Sequence, residues 1–144
     1  MANVRQISVF MDNKPNQLSG VMQIIKDSGI NVRALSLADT KDFGILRIIV
    51  NDTDKTVESL KNAGYAVAVT EILAISIPDS PGQLSRVLEI LGSDNVNLEY
   101  LYAFTGASDK AVSFVIRVDD NEAAAASLTK GGIIQLTEND IEEM

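Results

Sequence analysis

The chain contains no cysteine and no histidine. Their absence removes disulfide staples, thiolate nucleophiles, Cys/His metal sites and the commonest general base near neutral pH. A cysteine-free chain fits a reducing compartment, so a cytoplasmic protein is the expectation. Positive charge is scarce as well: 12 Lys and Arg stand against 20 Asp and Glu, for a net charge of −8. Such a surface repels nucleic acid, and no nucleic-acid partner is expected. No basic start followed by an apolar run opens the chain, so no signal peptide is read. The longest apolar stretch, 63–77, is interrupted by Thr70 and Glu71 and is too short for a bilayer span, so no membrane partner is expected either. Hydrophobic residues make up 46% of the chain, which supports a packed core and argues against disorder.

What the chain does have is a repeat. Pro15-Asn16-Gln17-Leu18-Ser19 returns 66 residues later as Pro81-Gly82-Gln83-Leu84-Ser85. At that offset eight of 21 positions from Pro15 to Leu35 are identical to those from Pro81 to Leu101: Pro15, Gln17, Leu18, Ser19, Val21, Ile24, Asn31 and Leu35. Beyond them Ile48, Val50, Asp52, Ser59, Leu60 and Gly64 match Ile116, Val118, Asp120, Ser127, Leu128 and Gly132 at an offset of 68. The two extra residues fall in the polar stretch 106–109, where a longer turn costs little. A duplication that keeps register implies one structural unit per copy, about residues 1–70 and 71–144. Units of that size lie near the lower limit for a self-sufficient core, so each should pack on its sister or on a second chain.

Each copy reads strand, helix, strand, strand, helix, strand. Ile7, Val9 and Met11 alternate with Ser8 and Phe10, as Leu73, Ile75 and Ile77 do with Ala74 and Ser76. Leu18, Val21, Met22, Ile24 and Ile25 form one helical stripe; Leu84, Val87, Leu88, Ile90 and Leu91 form the other. Pro15 and Pro81 stand at the helix starts, with Ser80 as the expected cap of the second and Asn16 as a later cap of the first. Gly29, Asn95, Gly64 and Gly132 read as helix stops, and Asp52 and Asp120 as caps of the second helix in each copy. The closing strands are read at 65–69 and 133–137. This order is the split-βαβ, ferredoxin-like arrangement, an α+β fold with antiparallel sheets and both helices on one face. The open face remains available for association. Leu98, Tyr100, Tyr102 and Phe104 form an alternating aromatic stripe that packs within its unit or against the sister copy, or else lines a dimer interface or ligand wall.

These patterns resemble the ACT domain. The segments that carry the resemblance are D-N-K-P-N-Q-L-S-G-V-M-Q-I-I-K-D-S-G-I-N-V and P-D-S-P-G-Q-L-S-R-V-L-E-I-L-G-S-D-N-V-N-L. The resemblance spans both copies. It implies two ACT domains side by side, sensing a small molecule, commonly an amino acid, at the interface between copies, as a homodimer or on a regulated enzyme partner. It places the binding region at the loop between first strand and first helix and at the start of the second strand: Met11, Asp12, Asn13 and Asn31, and Asp79, Ser80, Gly82 and Asn97. The chemistry suits a zwitterion. A helix N-terminus offers N–H groups to a carboxylate, Asp12 or Asp79 can hold an ammonium, and Asn31 or Asn97 can donate and accept. The same residues also serve as ordinary caps and turn residues. Copy one has Asn16 where copy two has Gly82, which favours copy two or a single asymmetric site shared by both.

An enzyme on the same fold, such as an acylphosphatase-like hydrolase, would call for a Gly-rich phosphate loop with an Arg nearby, and no such loop follows the first strands. RNA-recognition domains share the strand order but present basic residues, which the charge opposes. A dimerisation module without ligand is the remaining alternative. Asp39, Asp42, Asp52 and Asp54 have no metal-loop spacing, and Glu138, Asp140, Glu142 and Glu143 read as a solvated tail. No catalytic residue, cofactor or metal site is expected.

Overall fold

Strand alternation sorts this chain into three cores. The computed structural model describes residues 3–39, 42–106 and 110–144. Copy one supplies β1 (Val4–Asp12), α1 (Gln17–Asp27), β2 (Val32–Asp39), β3 (Phe43–Val50) and α2 (Thr53–Asn62). A single long strand follows, β4 (Ala66–Pro78), and then α3 (Gln83–Ser93), β5 (Leu98–Ala103), β6 (Ala111–Val118), α4 (Asn121–Lys130), β7 (Ile134–Leu136) and α5 (Glu138–Glu142). The strands run in the order β2-β3-β1-β4-β6-β5, with β7 also on β4. Each copy thus holds the ferredoxin-like order, and β4 belongs to both. The turn at 106–109, where the extra residues of copy two were expected, lies largely outside the described residues.

The separate strands read at 65–69 and 73–77 are one continuous strand. Residues 66–72 of β4 pair with β1, from Phe10↔Ala66 to Val4↔Ile72. Residues 73–78 pair with β6, and 74–76 with β7. Thr70 and Glu71 do not interrupt it because their backbones stay in the ladder against Gln6 and Arg5. The Glu71 side chain points to solvent and accepts from Asn3 Nδ2 at 2.9 Å.

Ile7, Val9, Leu46, Ile48 and Val50 pack under α1 and α2, on Val21, Ile25 and Leu60. Leu73, Ile75, Ile77, Ile116 and Val118 pack under α3 and α4 in the same way. The residues of opposite parity, Val4, Ile49, Ile72, Ala74 and Val115, turn away from the helices and meet Ala34 and Phe104 in a third core between the copies. The sheet curls until its ends touch. Ala34 and Phe104 form an antiparallel bridge, and the Thr105 N–H donates to the Arg33 carbonyl at 2.8 Å.

Polar groups also cross this seam. Gln6 is 1% exposed; its Nε2 donates to Tyr100 Oη at 2.8 Å, and the Tyr102 hydroxyl donates to its Oε1 at 2.5 Å. The Arg47 guanidinium lies 4.1 Å from the Tyr100 ring centroid. The aromatic stripe is therefore not a single row. A register shift between Leu98 and Tyr100 turns Leu98 toward the helices of copy two, while the two tyrosines and Phe104 face copy one.

Helix ends follow the sequence, with two corrections. Asp52 and Asp120 cap α2 and α4 by accepting from Lys55 and Ala123 N–H, and Gly29, Asn95, Gly64 and Gly132 take positive φ at the stops. Ser80 is not a cap: Pro81 and Gly82 form a turn in which the Gln83 N–H donates to the Ser80 carbonyl at 3.4 Å, and Gly82 becomes the N-cap position with φ 86 and no side-chain capping bond. Asn16 takes the same left-handed role in copy one, with φ 70 and no capping bond either. The acidic tail is not simply solvated. Thr137 and Asp140 form a capping box that starts α5, and Ile141 is driven 99% out of solvent against Val4 and Ile49 because it is the one aliphatic residue in an acidic turn. Glu138 is tied to Arg5 at 2.8 Å, and Arg5 reaches Asp54 at 2.7 Å. Among the described residues no helix is long and apolar enough to cross a membrane.

Two outcomes follow from this packing. Ile141→Ala should cost about 3 kcal/mol in a urea unfolding series, as a buried aliphatic truncation does; a loss near zero would show the tail to be only loosely seated. Burial pushes the Tyr102 phenol up, above the ordinary tyrosine range, with neighbouring Tyr100 adding to the effect. The folded state thus favours neutral Tyr102, a contribution present below the ordinary tyrosine pKa and lost as pH climbs through the raised folded value. Phenolate absorbance should show one late-titrating tyrosine that disappears in Tyr102→Phe.

Candidate functional site

The topology separates residues that the sequence grouped. β1 and β2 both pair antiparallel with β3, so they run parallel to each other. The end of β1 and the start of β2 therefore sit at opposite ends of one copy. Within one copy, Met11, Asp12 and Asn13 thus lie at the opposite end from Asn31, and Asp79, Ser80 and Gly82 at the opposite end from Asn97.

The loop of copy one lines a small hollow of about 130 Å³, formed by Met11, Asp12, Asn13, Lys14, Gln17, Leu18, Leu37 and Gly44. Met11 is buried, and at the mouth Asp12 and Lys14 stand 3.9 Å apart, both largely exposed. The Asn13 N–H donates to the Asp42 carbonyl at 3.2 Å. The loop of copy two repeats this backbone: Asp79 N–H donates to the Lys110 carbonyl at 3.0 Å, and the Ser80 N–H to the Pro78 carbonyl at 3.0 Å, as Lys14 does to Asp12 at 2.9 Å. Asp79, Ser80 and Gly82 are exposed. Asn31 and Asn97 use their backbones in turns: their N–H groups donate to the side chains of Asn51 and Asp119 at 3.0 and 3.1 Å, and their carbonyls accept the N–H of the same two residues.

The seam reunites one end of copy one with the opposite end of copy two. A cleft of about 460 Å³ opens there, lined by Asn31, Val32 and Arg33 from the start of β2. Facing them are Ser76 of β4, Phe104, Thr105 and Gly106 past β5, Ala111 and Ser113 of β6, and Leu136 and Met144. Its floor adjoins the loop of copy two, since Pro78 pairs with Ala111. Arg33 sits where β2 slips register against β3, a bulge of the kind that re-aims a side chain. Its Nε is buried and has no hydrogen-bond partner among the described residues. Of the eight residues expected at a site, only Asn31 lines this cleft. Phe104 belongs to the aromatic stripe for which a ligand wall was one reading, whereas Arg33, Ser76, Thr105 and Ser113 were not legible as a site, because nothing in the sequence says which strand edges meet across the copies.

A family model of an ACT domain pair matches residues 2–144. The chain belongs to this family of ACT domain pairs. A protein of Bacteroides thetaiotaomicron with a solved structure is 34% identical to this ACT pair, covering 99% of this chain and 98% of that one with a TM-score of 0.93. A probable acetolactate synthase small subunit from Archaeoglobus fulgidus is 25% identical over 76% of this chain and 82% of its own length. The ligand-free regulatory subunit of aspartate kinase from Thermus thermophilus covers 90% of this chain and 93% of its own with a TM-score of 0.67; at 17% identity that likeness is one of fold.

Gly44 of β3, which lines the copy-one hollow, and Gly82 of the copy-two loop differ in what a side chain would meet. A Cβ on Gly44 would lie 3.6 Å from Met11 Cε and 3.7 Å from Leu37 Cδ1, ordinary contact distances, on a backbone outside the left-handed region. Gly44→Ala should therefore stabilise the chain by about 0.5 kcal/mol in thermal unfolding. Gly82→Ala should instead cost about 1 kcal/mol, since its φ of 86 strains any L side chain. Equal effects at the two sites would contradict this assignment.

Proposed function

We propose that this ACT pair is a non-enzymatic regulatory protein that binds a small molecule, an amino acid, at the interface between its two ACT units. The observation that carries this reading is the seam cleft. Its volume of about 460 Å³ lies within the range typical of small-ligand sites, roughly 300–1,000 Å³. Its walls combine apolar surface from Val32, Phe104 and Leu136 with a few convergent polar groups, Asn31, Arg33, Thr105, Ser76 and Ser113. Both copies contribute, so a ligand there bridges them.

The fold region supports regulation rather than turnover. The cleft groups suit binding and orienting, and among the described residues that line it no acid–base pair converges on a reacting position. The Archaeoglobus fulgidus relative carries the name of a small subunit, which supports a separate enzyme as the partner of this chain. Exposed Leu35 and Leu37 on the helix-side face of β2, and exposed Phe10 and Phe43 on the opposite face of β1 and β3, offer two separate apolar surfaces for a second copy or for that partner.

A thermal-shift titration of the chain with each common amino acid tests the reading. At a concentration well above Kd, at least one amino acid should raise Tm by a few degrees, as ligand linkage requires. If none does so at millimolar concentration, amino acids are excluded as the ligand and the chain is better read as a structural interaction module.

A further inference from the structure

The duplication allows the cleft to be compared with its own counterpart. Offsets of 66 and 68 relate Phe10 to Ser76, Phe43 to Ala111 and Ile45 to Ser113. The strand registers agree: Phe10 pairs with Ile45 as Ser76 pairs with Ser113, and Asp12 pairs with Phe43 as Pro78 pairs with Ala111. Three small residues thus open the cleft at the copy-two end, while three bulky ones fill the equivalent positions of copy one. Phe10 and Phe43 remain 45% and 58% exposed there, as a surface rather than a hollow.

The charge across the bulge differs in the same way. The register slip of β2 at Arg33 recurs in β5 between Leu98 and Tyr100, at Glu99, 66 residues on. Glu99 has Arg117 at 3.9 Å. The residue corresponding to Arg117 in copy one is Ile49, so Arg33 has no carboxylate in that place. Every other arginine has a partner: Arg5 binds Asp54 and Glu138, Arg47 covers Tyr100, Arg86 donates to the Gly131 carbonyl at 2.6 Å, and Arg117 holds Glu99. Among the described residues, Arg33 alone of the arginines combines a buried Nε without a hydrogen-bond partner with a place in a cleft. A buried donor without an acceptor is costly, and a guanidinium is matched in geometry to a carboxylate.

We infer that the seam cleft takes one carboxylate-bearing ligand per chain, anchored on Arg33, with its apolar body against Phe104 and Leu136. This deepens the function proposed above and rests on it. Both determinants, the unpaired cation and the small wall, occur at only one of the two equivalent positions, so the stoichiometry is one and not two. The anchor also answers the charge problem, because a chain of net charge −8 attracts an anion only where a cation is presented locally.

Isothermal titration of the full chain with leucine, methionine and phenylalanine, and with isopentylamine and phenethylamine, separates the possibilities. The expected result is binding of at least one amino acid at one site per chain, with no binding of the amine that lacks its carboxylate. Arg33→Gln should weaken that binding by about ten- to a hundred-fold, the worth of a charge-assisted hydrogen bond. Ser113→Ile, which places the copy-one residue in the cleft, should abolish it, and Glu99→Gln should leave it unchanged; circular dichroism of each variant checks the fold. Binding of an amino acid that persists undiminished in Arg33→Gln, equal binding of the amine, or two sites per chain would overturn the anchor while leaving an amino-acid sensor intact. Failure of all five compounds to bind the unaltered chain would remove the carboxylate ligand with an apolar body, while the amino-acid reading stands or falls on the thermal-shift series with every common amino acid.

Discussion

The structure depends on one strand that two domains share. β4 closes the sheet of copy one over residues 66–72 and opens that of copy two over 73–78. Its alternation must satisfy three cores together. Val67 serves the copy-one helices, Leu73, Ile75 and Ile77 serve the copy-two helices, and Ile72 and Ala74 serve the core between the copies. A slip of one residue would exchange the two faces, moving Ile72 and Ala74 under the helices and Leu73 and Ile75 into the core between the copies, with Thr70 and Ser76 turned toward the helices. The register of β4 therefore sets the positions of both copies at once. Units of about 70 residues, marginal by themselves, become parts of one packed body. Nothing comparable would arise from two domains joined by a linker, whose interface is normally smaller and more polar.

The seam adds polar specificity to this apolar constraint. Gln6 is bound on both sides by Tyr100 and Tyr102, and a buried amide so satisfied tolerates only one alignment of the copies. Arg5 fixes a second place, holding α5 through Glu138 and α2 through Asp54. The half-exposed ion pairs contribute little by themselves in water, so the buried Ile141 carries most of the docking of α5. Its side chain sits on Val4 and Ile49, the residues with which copy one meets copy two. The tail thus reinforces the seam from the outer side.

Much of this was legible in the residues. The helical stripes, the aspartate caps and the glycine stops are local signals, and each was repeated, which removed most ambiguity. Asn16 was read as the cap of the first helix and stands at that position, left-handed and without a capping bond, whereas the second helix starts two residues beyond the expected cap Ser80, at Gly82. The tail was misjudged because four acidic residues outweigh one isoleucine in composition, whereas burial depends on that isoleucine alone. The site was harder for a more basic reason. Met11, Asp12, Asn13 and Asn31 are grouped by a motif, but parallel strands place them at opposite ends of the sheet. Contacts across the seam, such as Ala34 with Phe104, leave no periodicity in either segment, because each strand would alternate identically with or without its neighbour.

Duplication usually suggests two equivalent sites, and the shared strand alone does not forbid them. The backbone of the chain is nearly faithful to a two-fold repeat: the same turns, the same left-handed residues and even the same bulge recur in both halves. What has diverged is side-chain volume and charge at positions the backbone holds in common. Phe10 and Ile45 face Ser76 and Ser113 in this comparison, and Arg33 faces Glu99. A change from phenylalanine to serine on a sheet surface opens space without altering the ladder, and a change of sign at a bulge redirects what that space attracts. The scaffold therefore fixes where a cleft can form, in two places, and a few side chains decide that only one of them does.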